Sequence, residues 1–156
     1  MKTKIIISFI GLLMFAGAFG EGCEEEEQEP KPDYITVNVT TTGKVLSKKV
    51  GNPVLLCYQL LQDLTVRVDV IKAGGERFNL FTQTGTDCRF QTELVSFKLY
   101  REQPIEIIAY AEQVPGGYTQ VEGIDYLSWD EVYPMYDFGS TYNYTSDVTV
   151  LWLEDN

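Results

Sequence analysis

The sequence predicts an all-β fold, a single antiparallel β-sandwich of about seven to nine strands over residues 34–156, set behind an export signal and an acidic linker. Three observations predict it. Beyond Asp33, nearly every segment alternates apolar and polar residues with the period of two that a half-buried strand shows. Clusters of glycine, proline, asparagine and aspartate punctuate those runs at short intervals. No stretch of this region sustains a helical period.

Taken in order, the first run is Ile35, Val37 and Val39 alternating with Thr36, Asn38 and Thr40, with a turn expected at Gly43. The second is "PVLLCYQLL" (Pro53–Leu61), with Val54, Leu56, Tyr58 and Leu60 on one face and Cys57 on the other. Val66, Val68 and Val70 alternate with Thr65, Arg67 and Asp69. "RFNLFTQT" (Arg77–Thr84) follows, then Val95, Phe97 and Leu99 interleaved with Ser96 and Lys98, then "PIEIIAYAE" (Pro104–Glu112). "VTVLWLE" (Val148–Glu154) closes the set and is apolar on both faces, as suits a strand covered on both sides or lying under a loop. The remaining turn signals are Gly51-Asn52-Pro53, Gly74-Gly75, Thr84-Gly85, Pro115-Gly116-Gly117 and Gly123. Ser128-Trp129-Asp130-Glu131 has the pattern of a capping box, and Pro134 limits the helix behind it to about one turn.

Residues 1–22 read as a secretory signal. Lys2 and Lys4 precede the apolar run "IIISFIGLLMFAGAFG" (Ile5–Gly20), which is shorter than the about 20 residues a permanent helical span needs. Gly22-Cys23 followed by a polar segment resembles the signal of a prokaryotic lipoprotein, which implies that Cys23 becomes the acylated N-terminus. A lipobox usually has Leu and then a small residue where this chain has Gly20 and Glu21. Ala18-Phe19-Gly20 also offers an ordinary cut ahead of Glu21, so a freely secreted chain is the alternative. Cysteine parity favours lipid. Three cysteines outside the cell leave one thiol over, and acylation of Cys23 frees Cys57 and Cys88 to pair. Residues 23–33, with Glu24–Glu27, Glu29 and Pro30-Lys31-Pro32, then serve as a stiff, self-repelling spacer.

Composition excludes several functions. The chain carries 12 basic and 23 acidic residues, a net charge of −11, which disfavours binding to nucleic-acid phosphates or anionic lipid heads. It has no histidine, so the usual general base, zinc ligand and Ser-His or Cys-His nucleophile pairs are missing. No metal or cofactor is expected: Asp125, Asp130, Glu131 and Asp137 lack the spacing of a calcium loop. Asn38-Val-Thr40 and Asn143-Tyr-Thr145 match the glycosylation acceptor pattern.

A bond between Cys57 and Cys88 would staple one strand to the start of another near the sandwich edge. It would not cross the core around a tryptophan, as in an antibody domain, because no tryptophan lies between them. "FTQTGTDCRFQTELVSFKLYREQPIEIIAYA" (Phe81–Ala111) resembles the transthyretin-like, carboxypeptidase-regulatory type of sandwich, through Asp87, Phe90 and the Ile105-Ile107-Ala109 alternation. Cys88 and Arg89 stand where that family has a turn glycine. The resemblance implies a seven-stranded spacer or binding module.

After Arg101 there is no lysine or arginine, and eleven acidic residues share the last third with many aromatics. Tyr126, Trp129, Tyr133 and Tyr136 are the candidate ligand-binding residues. Flat rings beside carboxylates can stack on sugars, and Tyr and Trp are enriched at protein interfaces. Alternatively, the aromatic segment from Tyr118 through Tyr144 is one long inter-strand excursion whose rings cover one end of the sandwich. The sequence thus points to a non-enzymatic, lipid-anchored surface or envelope protein with a protein partner, with a carbohydrate-binding module as the alternative.

Overall fold

The structure is a computed structural model that describes residues 32–155; the signal, Cys23 and most of the linker lie outside the described residues. The described chain forms β1 (Tyr34–Lys48), β2 (Thr65–Lys72), β3 (Arg77–Gln83), β4 (Arg89–Gln91), β5 (Val95–Tyr100), β6 (Ile105–Ala111), β7 (Tyr118–Val121), β8 (Gly123–Leu127), the short helix α1 (Trp129–Val132) and β9 (Thr141–Glu154). The fold is the predicted all-β sandwich. In the first sheet, β4 and β5 both pair with one side of β1, β9 pairs with its other side, and β7 lies beyond β9. The second sheet runs β3-β2-β6-β8.

Each pairing is antiparallel except one. β1 and β9 run parallel from Thr36 opposite Thr141 to Lys48 opposite Leu153. Alternation along both strands turns one side chain in two toward the second sheet. Ile35, Val37, Val39 and Val45 of β1 and Val148, Val150 and Trp152 of β9 therefore meet Val66, Val68 and Val70 of β2 and Ile105, Ile107 and Ala109 of β6 in one core. Full burial of each such aliphatic side chain contributes about 1.5–3 kcal/mol. Gln120 of β7 latches the two layers together. Its Oε1 accepts the Trp152 indole N–H (3.0 Å) and the Ala111 backbone N–H (2.9 Å), and its Nε2 donates to the Ala111 carbonyl (3.3 Å).

Four local expectations are corrected. Gly43 is not a turn but the buried middle of β1, opposite both Phe90 of β4 and Val148 of β9. A Cβ there would strike the Val148 carbonyl oxygen and lie 2.6 Å from Phe90 Cζ, so the residue is glycine because the ring and the ladder occupy that space. Gly123 likewise opens β8 rather than a turn; its Cβ would lie 3.0 Å from both the Thr149 oxygen and Val148 Cβ, where β8 leans onto β9.

Pro53–Leu61 is not a strand. It makes one bridge, Leu56 with Ser47, and then a 3-10 turn over Gln59–Leu61. The segment carries the chain from the first sheet to the second, so it cannot run along either, and its leucines lack the β-branching that favours extension. Fourth, Tyr118–Tyr144 is not one long excursion. It contains β7, β8, α1 and the start of β9, with Tyr142 and Tyr144 half-buried on the inward side.

Cys57 and Cys88 form the expected disulfide, with Cα atoms 5.8 Å apart. It joins the crossover, rather than a strand, to the residue before β4. Cys88 is buried and adopts φ 61°, a left-handed conformation that favours glycine. The Gly85 N–H to Arg89 carbonyl bond (2.8 Å) and the Cys88 N–H to Gly85 carbonyl bond (2.9 Å) close the loop around it.

Candidate functional site

The four aromatic residues singled out in the sequence do not form one platform. Trp129 is the first residue of α1, and its ring packs into the core at 3 % exposure. Tyr133 stacks on it with centroids 5.3 Å apart and planes 17° from parallel, and the Arg101 guanidinium carbon lies 5.6 Å from its centroid. Glu131 fixes the helix start by accepting from the Ser128 N–H and hydroxyl, both at 2.9 Å. Pro134 falls in the 3-10 turn that follows. Trp129 and Tyr133 thus close the end of the sandwich where the chain enters it, and Trp129 has no open face for a ligand.

Tyr136 stands beside that cover. With Tyr34, Phe138, Asp33, Thr36 and Ser140 it lines a recess of about 390 Å³. Phe138 is 56 % exposed and tilts against Tyr136, whose hydroxyl accepts the Gly139 N–H at 3.1 Å. Tyr34, with Lys98 Nζ 4.1 Å from its ring centroid, extends the aromatic surface to Tyr100. Flat rings beside hydroxyls and a carboxylate have the chemistry of a sugar subsite. A wider recess of about 490 Å³ beside β4 is walled by Lys44, Arg89 and Asp147 over a buried Phe90, and offers no open aromatic face.

Tyr126 belongs to a different surface, the outer face of the second sheet. Strand register places Arg77, Ile71, Glu106 and Tyr126 in one row across the four strands, with Asn79, Asp69, Ile108 and Ile124 in the next, and Phe81, Arg67 and Tyr110 in the third. Asp69 points outward yet its side chain is only 4 % exposed, because its neighbours close over it. Arg67 Nε donates to it at 2.7 Å, Arg77 Nη1 at 3.3 Å and the Tyr110 hydroxyl at 3.4 Å; Arg67 also donates to Asn79 Oδ1 at 2.9 Å. The bond to Asp69 holds the Arg67 guanidinium further above its ordinary pKa. Burial, then the Asp69 charge, raises the Tyr110 phenol. The Arg67 guanidinium lies 5.6 Å from the Tyr110 centroid and 5.9 Å from that of Phe81. Around this network Phe81, Ile124 and Tyr126 are 57 %, 49 % and 55 % exposed, and the Tyr126 hydroxyl donates to Glu106 at 3.0 Å.

The outer face of the first sheet is unlike this one. Thr36, Asn38 and Thr40 lie beside Thr141, Asn143 and Thr145, and Asn38 Nδ2 donates to Asn143 Oδ1 at 3.0 Å, so the two glycosylation triplets are neighbours on a polar surface. Among the described residues, no group of three or more cysteine, aspartate or glutamate side chains could hold a metal ion, and no helix is long and apolar enough to cross a membrane.

Phe81, Arg67, Asp69 and Tyr110 were not singled out in the sequence. Their signal was nonetheless there: Ile108 and Tyr110 make "PIEIIAYAE" apolar on both faces, in a sheet whose outer side has no covering layer among the described residues. Compared with known proteins, the chain matches no protein-family model, and no curated protein matches it.

Proposed function

We propose that this protein is a non-enzymatic binding module, exported and held at the cell surface or envelope by lipid on Cys23, that takes a protein partner on the outer face of its second sheet. Free secretion is the alternative mode of display. One observation carries the binding assignment. An outer face of a sandwich is ordinarily polar, yet this one exposes Phe81, Ile124 and Tyr126 around two arginines and a sequestered aspartate. Large aromatics and arginine, around an aspartate that two arginines already pair, make up the composition of interface hot spots. The transthyretin-like resemblance of Phe81–Ala111 would imply the same kind of role.

Site-specific photocrosslinking in the producing cells tests it, with the reactive group placed at Phe81, at Tyr126, or at Thr145 on the polar face as a control. Protein adducts are expected from the first two positions only; equal yields from all three, or none, overturn the assignment. Intact mass of the purified protein tests the anchor, since an unmodified N-terminus at Glu21 removes the lipid.

The recess between Tyr34, Tyr136 and Phe138 favours a second reading, a carbohydrate subsite. If so, Tyr136→Ala and Phe138→Ala abolish retention on polysaccharide, whereas unchanged retention eliminates it.

A further inference from the structure

The outer face of the second sheet is polarised. Its β3–β2 half carries Arg67 and Arg77 against the one sequestered charge of Asp69, and so retains a net positive charge. The Arg77 side chain is 52 % exposed and reaches Asp69 at 3.3 Å through one nitrogen, which leaves most of its five donors to face outward. In the other half, β6 carries Glu106 and Glu112 follows its last residue, and neither is in an ion pair among the described residues. The apolar groups are divided in the same way, with Phe81 at one margin and Tyr126 at the other.

A surface with opposite charges on its two halves and apolar groups at both margins is complementary to itself. A two-fold axis running along the strands between β2 and β6 lays β3 of one copy over β8 of the other, and β2 over β6. The row Arg77, Ile71, Glu106, Tyr126 then meets its own reverse. Arg77 comes over the partner copy's Tyr126–Glu106 pair, and Arg67 over Tyr110 near Glu112. A closed two-fold arrangement of this kind uses each contact twice. We infer that the partner taken by this face is a second copy of the chain. The inference rests on the binding-face assignment above and deepens it.

The face is modest in size. Four strands about 4.8 Å apart and about seven residues long span roughly 19 by 23 Å, which belongs with weak, reversible contacts rather than obligate dimers. Charge pairing across such a face sets register and partner choice more than affinity.

Sedimentation velocity on the mature chain, from micromolar to millimolar concentration, tests the inference. The wild-type protein is expected to pass from monomer to dimer with no larger species. Arg77→Glu and Glu106→Arg should each raise the dissociation constant about tenfold or more, and the two together should restore it to within about threefold, because the pair re-forms with its signs exchanged. Phe81→Ser, which keeps every charged side chain, should also dissociate the dimer, and circular dichroism on each variant separates lost association from lost folding. A wild-type monomer at millimolar concentration, or a double variant no better than the single ones, overturns the inference. If the protein is monomeric but Phe81 and Tyr126 still crosslink to a different protein, self-association fails and the binding face stands. If neither is seen, both fail.

Discussion

Adding a single methyl group at Gly43 should be among the most damaging changes of its size in this domain. The Cβ of an alanine there meets two obstacles. Phe90 Cζ and Cε1 would lie 2.6 and 2.9 Å away, against an ordinary carbon–carbon contact of about 3.5–4.0 Å, so the ring must move by about 1 Å within a packed core. The Val148 carbonyl oxygen is worse, because it belongs to the backbone of β9 directly opposite Gly43 and cannot retreat without opening the parallel ladder. Overpacking of this kind costs about 1–3 kcal/mol when side chains alone adjust, and more when backbone must shift. Loss of glycine's freedom in the unfolded chain returns only about 0.4–1 kcal/mol. A net loss of about 2–4 kcal/mol is expected for Gly43→Ala, lowering the melting temperature by roughly 10 °C in a domain of this size. Urea and thermal denaturation, with Gly116→Ala as the control, measure it; nothing lies within 4 Å of a Cβ at Gly116. Phe90→Leu in the Gly43→Ala background should recover part of the loss, since it clears the ring but not the carbonyl. A loss under about 1 kcal/mol, or one matching the control, would refute the steric reasoning.

Gln120→Leu preserves bulk but strands the indole N–H of the fully buried Trp152, and should cost about 1–3 kcal/mol with a change in Trp fluorescence; an unchanged urea midpoint argues against the latch. Removing the Cys57–Cys88 bond should cost about 3–4 kcal/mol in the chain-entropy model, and Cys57→Ser with Cys88→Gly should be less damaging than Cys57→Ser with Cys88→Ser, because glycine adopts φ 61° without strain. Burial, and then the 2.8 Å hydrogen bond to Asp125, hold the Tyr144 phenol well above the ordinary tyrosine range. The folded state therefore keeps a proton that the unfolded chain releases near pH 10, so stability is full below about pH 10 and declines above it. Melting temperatures from pH 8 to pH 12 should show that decline, and Tyr144→Phe should flatten it; an equal slope in the variant would mean that Tyr144 is not its source.

Alternation was a sufficient guide wherever a strand has one wet and one dry face. Thr65–Lys72 and Val95–Tyr100 read directly from the sequence for that reason. It failed at Pro53–Leu61, where the apolar run serves a crossover and Val54, Leu55 and Leu60 stay exposed. It also failed at Gly43 and Gly123, since a glycine demanded by the close approach of another strand looks, in one dimension, the same as a turn. The parallel pairing of β1 with β9 joins residues 105 apart in the chain, Thr36 to Thr141 among them, and no local pattern encodes such a partner. At the candidate site, composition pointed to the aromatic last third, but it could not separate Tyr126, which the structure leaves exposed, from Trp129, which the fold consumes as core. Arg67, Asp69 and Phe81 meet only through the register of β2 with β3, and so become a surface only once the sheet exists.

Because β1 lies against β9, this chain cannot complete its central ladder until Thr141–Glu154 is available. A polypeptide made or threaded from its N-terminus carries β1 with one flank bare throughout, and contacts that distant form slowly. Truncation by a dozen residues at the C-terminus would accordingly not trim the molecule but deprive its first strand of a neighbour.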